Sequence, residues 1–93
     1  MIASYSDVSY CFSVCKLGDG KGGSEEQLEG KFTKGSCILA VKEQHPDANG
    51  ATMDADCPNT CRCFAEFEME SWDDRDDLES CMFTVGELIL NKN

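Results

Sequence analysis

Apolar and polar positions alternate near the start of the chain, with Val8, Tyr10, Phe12 and Val14 set against Ser9, Cys11, Ser13 and Cys15. A repeat of two puts successive side chains on opposite faces of an extended backbone, so this segment predicts a half-buried strand over 7–15. Cys11 and Cys15 fall on its polar face. Gly18-Asp-Gly-Lys-Gly-Gly23 then interrupts the pattern and by composition is a flexible loop. From Thr33 the period changes. Cys37, Ile38 and Val41 recur at helical spacing, Thr33 can cap, Lys42 suits the last turn, and Pro46 after His45 forbids continuation, which predicts a helix over 34–45. Pro46 to Gly50 is turn-like, Ala51-Thr-Met53 a short strand, and Asp54 to Thr60 a polar loop.

The clearest alternation follows. Along Cys61 to Glu70, residues Cys63, Ala65, Phe67 and Met69 fall on one face and Arg62, Glu66, Glu68 and Glu70 on the other, with Phe64 the exception. This predicts a strand with one wet face and Phe67 in the core. Ser71 to Ser80 is an acidic turn, and Cys81 to Val85 with Leu88 to Leu90 supplies one or two closing strands. The order strand, helix, several strands predicts an α+β fold: one helix packed on an antiparallel sheet of four or five strands, the whole stapled by disulfides.

Composition narrows the class. A chain of 93 residues is a single module over 1–93, too short for a second core, and its own core is thin. Seven cysteines in that length indicate a disulfide scaffold in an oxidising, secreted, extracellular setting. Zinc fits less well, because the cysteines fall as Cys11-x3-Cys15 and Cys57-x3-Cys61-x-Cys63, with His45 far from both in sequence. Eighteen acidic against eight basic residues give a charge of -10, which repels phosphates and argues against nucleic acid as a partner. The second half, 47–93, carries twelve acidic and three basic residues, so the acidity is concentrated there. No run approaches the roughly 18 to 20 apolar residues of a membrane span. Met1 to Tyr5 lacks the basic start and apolar stretch of a leader.

Few motifs carry chemistry. Gly18-x-Gly20-x-x-Gly23 matches the letters of a dinucleotide fingerprint but lacks the parallel strand–helix–strand unit that makes those glycines useful. Asp73, Asp74, Asp76 and Asp77 with Glu79 form the sharpest feature, since calcium takes several carboxylate oxygens; the plainer reading is a solvated turn. Beside it, Trp72 and Arg75 are candidates for touching a ligand, although a lone Trp in a small domain more often packs in the core. His45 at a helix end is placed to meet the dipole rather than to catalyse. Glu66, Glu68 and Glu70 on one strand face repel one another rather than divide into acid and base. No convergent nucleophile, base and orienter emerges, so an enzyme is not expected and no cofactor beyond a possible calcium ion is implied.

A cysteine on a helix after a threonine, then Ala48-Asn-Gly-Ala-Thr-Met53, Cys63-Phe-Ala-Glu-Phe67, Trp72 and Cys81-Met-Phe83, together resemble a secreted invertebrate module of the PAN/apple-like type. The resemblance implies a helix cradled by a curved antiparallel sheet, with one disulfide tying helix to sheet and another joining the module's ends. It implies the pairs Cys37–Cys63 and Cys11–Cys81. Cys57 and Cys61 can then close a short loop, which leaves Cys15 over and open to linking a homodimer. The function that follows is a non-catalytic extracellular recognition module for a protein or a glycan. The alternative is an acidic matrix protein that binds calcium or a mineral surface through its second half.

Overall fold

The computed structural model describes residues 13–83. In chain order the elements are β1 (Ser13–Leu17), β2 (Gly20–Lys21), β3 (Ser24–Phe32), α1 (Lys34–Gln44), β4 (Gly50–Asp54), β5 (Cys61–Phe67), β6 (Ser71–Trp72) and β7 (Leu78–Phe83). Five strands form one antiparallel sheet in the order β1-β7-β4-β5-β3, and β2 pairs with β6 in a separate two-stranded ribbon. The fold is α+β, one helix on a five-stranded antiparallel sheet with three disulfides.

Local chemistry starts and stops the helix as its sequence predicts. Thr33 Oγ1 accepts from the Ser36 N–H at 3.0 Å, and Ser36 Oγ accepts from the Thr33 N–H at 2.9 Å, a reciprocal cap that satisfies two otherwise open donors. At the far end the His45 N–H donates to the Val41 carbonyl at 2.8 Å, and Pro46 follows. Only Cys37 and Val41 are buried within the helix, one turn apart, so its hold on the sheet rests on a narrow stripe and on the Cys37–Cys63 bridge. Beneath that stripe lie small or slender side chains. Register sets Ala51 opposite Ala65 and Cys81, and Met53 and Leu28 opposite Cys63, which gives a core of Leu28, Cys37, Val41, Ala51, Met53, Cys61, Cys63, Ala65 and Cys81.

Several expectations change. The predicted first strand overlaps β1 only at its end; 7–12 and the closing segment 84–90 lie outside the described residues. Cys15 stands opposite Cys81 on the helix side of the sheet, while Val14 points the other way and is 45% exposed, so the inward face at β1 is the reverse of that expected. Residues 24–32 carried no strand signal, yet β3 is the longest strand, because Leu28 alone is buried among polar neighbours. The glycine loop is partly ordered as β2, and the acidic turn is bounded by β6 and by β7 from Leu78. The strand expected to run to Glu70 ends at Phe67, since Glu68 takes a φ of 60°. Gly23, at φ 64°, passes so close to the Phe67 carbonyl that a Cβ would strike it.

Two bridges match, Cys37–Cys63 and Cys57–Cys61. The third corrects the implied Cys11–Cys81 pair: Cys81 is bonded to Cys15, its direct neighbour in the β1–β7 register. Cys15 is therefore not the thiol left to link a second chain. The seventh cysteine, Cys11, lies outside the described residues. Three disulfides place the protein in an oxidising compartment, and no described helix is long and apolar enough to cross a membrane.

Candidate functional site

The sheet face away from the helix carries Gly50 and Thr52 from β4, Phe64 and Glu66 from β5, Ser80 from β7 and Glu25 from β3, by the same pairing that sends Ala51, Cys63, Ala65 and Cys81 to the helix. The β2–β6 ribbon lies across this face. Two features let it come close. Gly20 has no side chain, and a Cβ there would stand 2.8 Å from Glu66 Cδ and 3.0 Å from Met69 Sδ. Asn49 bonds the Met69 backbone twice, donating from Nδ2 to its carbonyl at 3.0 Å and accepting at Oδ1 from its N–H at 2.9 Å, which sets the turn that buries Met69. Trp72 closes the other end, its indole N–H donating to the Ser80 carbonyl at 2.7 Å.

Under this cover sits a polar chain. Glu66, expected on the wet side of its strand, is only 1% exposed, and Thr52 and Ser80 are fully buried. Glu66 Oε2 lies 2.5 Å from Thr52 Oγ1, Thr52 Oγ1 lies 2.6 Å from Ser80 Oγ, and Ser80 Oγ donates to the Gly18 carbonyl at 2.8 Å. Burial pushes the Glu66 carboxyl up to about 8, against the pull of Thr52, with Glu25 opposite it on β3 and Asp19 raising it further. Asp19 is also raised, by burial and by the charges of Glu25 and Asp73, and its Oδ1 is buried without a hydrogen-bond partner.

Oxygens of Asp19, Glu25 and Glu66 lie within 4.8 Å of one another. Like charges this close help to raise Glu66 and Asp19. Of the five residues expected to hold calcium, Asp73, Asp77 and Glu79 have other partners. Asp73 Oδ1 accepts from the Asp19 N–H at 2.8 Å, Asp77 is held by Arg75 at 2.7 and 2.9 Å, and Glu79 pairs with Lys34 at 2.8 Å. Asp74 and Asp76 are exposed, and among the described residues none of these five meets two other carboxylates within ligating distance. Arg75, a candidate for ligand contact, is thus engaged by Asp77, and the Trp72 ring has the Lys16 ammonium 4.7 Å above it.

Sequence reasoning missed the buried chain because Thr52, Ser80 and Glu66 are each ordinary on an exposed strand face. The one sign was Phe64, an aromatic on the supposedly wet side, which shares its face with Glu66 and is itself half-buried. Searches against protein-family models, curated proteins and solved structures find no match to this chain.

Proposed function

We propose that the protein is a secreted, non-catalytic recognition module whose ligand is a protein, taken up as an added strand along β3. The observation that carries this reading is the position of β3: nine residues long and last in the sheet, it has no strand on its outer side among the described residues. Such an edge offers a row of main-chain donors and acceptors to an extended segment. Glu25, Glu26 and Glu29 against Lys31 make the edge acidic, and the chain's charge of -10 has the same sign. A second copy is repelled by that edge and a basic segment is drawn to it. The reading stays non-catalytic because the Thr52 and Ser80 hydroxyls are buried beneath the ribbon and engaged in the chain from Glu66 to the Gly18 carbonyl. A glycan is less well supported, as Lys16 covers a face of the Trp72 ring. The helix-to-sheet bridge Cys37–Cys63 supports the PAN/apple-like resemblance.

A peptide panel of basic, neutral and acidic extended sequences, run beside a glycan array and a calcium titration by calorimetry, tests this. Basic peptides should bind, weaken with salt, and protect amides of 24–32 from hydrogen exchange; Glu26→Lys with Glu29→Lys should abolish it. Glycan binding without peptide binding turns the reading to carbohydrate. A tight calcium site turns it to the acidic matrix protein.

A further inference from the structure

The buried chain contains more hydrogen bonds than its hydroxyls have protons for. Three oxygen–oxygen contacts run in series, Glu66 to Thr52, Thr52 to Ser80 and Ser80 to Gly18. Each needs a proton of its own, the Gly18 carbonyl can only accept, and Thr52 and Ser80 bring one O–H each. The third proton must sit on Glu66. With Glu66 protonated, its O–H donates to Thr52, Thr52 to Ser80, and Ser80 to the Gly18 carbonyl at the root of the ribbon. With Glu66 ionised, one contact loses its proton and a second negative charge appears opposite Glu25. The groups that face this carboxyl reinforce the choice: Glu25 from β3 and Asp19 from the β1–β2 turn are acidic, Thr52 and Ser80 are neutral, and Asp73 stands behind Asp19. Arg75 is the basic group acting on Asp19, and its guanidinium is bonded to Asp77. Glu66 is only 1% exposed beneath the Gly20 backbone, so hydrating a carboxylate there requires the ribbon to lift.

We propose that Glu66, Thr52, Ser80 and the Gly18 carbonyl form a proton-held latch, which fastens the β2–β6 ribbon to the sheet and releases it when Glu66 ionises. The latch is independent of the β3 reading. In the open state Glu66 returns toward the ordinary 4.5, and in the closed state it stands at about 8. Opening then becomes more favourable by about tenfold per pH unit between those values and levels off above the upper one.

Amide hydrogen exchange of the intact protein from pH 5 to 8 tests it. The reporters are the Gly18, Glu70 and Asp73 N–H groups, bonded to the Leu78, Lys21 and Asp19 carbonyls. Intrinsic exchange rises about tenfold per pH unit, so proton-coupled opening makes these amides accelerate about a hundredfold per unit. They should also exchange faster than the amides of β4 and β5. In Glu66→Gln, whose amide donates to Thr52 without titrating, the acceleration should fall back to about tenfold. An acceleration of about tenfold in the wild-type ribbon overturns the proposal. So does a ribbon that exchanges at the same rate as β4 and β5, because it then opens only by global unfolding. Both of those outcomes are read on the wild-type protein, so they stand even where the variant fails to fold.

Discussion

Glu66 owes its unusual state to what surrounds it on five sides: Thr52 and Glu25 on the flanking strands, Ser80 one strand further, and Gly20 and Met69 above. Removing one of those neighbours should therefore move its titration. In Glu25→Gln the facing negative charge is gone, and the Glu66 midpoint should fall from about 8 toward the ordinary 4.5, followed by carbon NMR of the side-chain carboxyl. An unchanged midpoint would show that burial and Asp19 set it without Glu25. On the helix side, Met53 is fully buried between Cys63 and the helix stripe, so Met53→Ala should cost about 2–5 kcal/mol by denaturant unfolding. Phe67, expected in the core, is half-buried with its ring edge against His45 at 5.6 Å, and its truncation should cost less than that of Met53.

Single elements depend on single devices. The α1 cap joins Thr33 and Ser36 in both directions, and Thr33→Ala should lower stability by about 1 kcal/mol. The three bridges span 66, 26 and 4 residues of sequence for Cys15–Cys81, Cys37–Cys63 and Cys57–Cys61. Loop-closure entropy then ranks their paired Cys→Ser variants at losses of about 4, 3–4 and 2 kcal/mol. Equal losses would show that strain or packing outweighs the loop term. Peptide mapping without reductant should recover these same three pairs. The predicted helix and the two central strands were legible because each carries its own signal: a cap and a proline for α1, and cross-face alternation for β5. β3 carries none, since an edge strand that buries Leu28 alone needs no apolar period, and its pairing with β5 is what makes it a strand.

Across the whole molecule, two sets of carboxyls pull stability in opposite directions with pH. Glu66 and Asp19 are raised in the folded state, so the protons they hold favour folding below their unfolded values, and that advantage is lost as pH climbs toward about 8 for Glu66. Asp54 and Asp77 are lowered by Arg62 and Arg75, so their contribution is present above the ordinary 3.8 and is lost as pH falls through their folded values. Thermal unfolding followed against pH should accordingly peak in mild acid. In Glu66→Gln the decline toward pH 8 should flatten, and a maximum at neutral or alkaline pH in the wild type would contradict the raised Glu66.

What the chain determined locally is the helix with its ends, the alternation of β5, and an oxidising compartment, because caps, periods and cysteine density act over a few residues or over composition alone. Tertiary structure decided which cysteine Cys81 meets. Cys11 and Cys15 share a face of the same predicted strand, and alternation cannot separate two positions an even number apart; only the β1–β7 register brings Cys15 opposite Cys81. It also decided that Glu66 is buried. Alternation assigns that side chain to a face, but whether a face is wet depends on what lies over it, and here β2 and β6, about 50 residues apart, meet to close it.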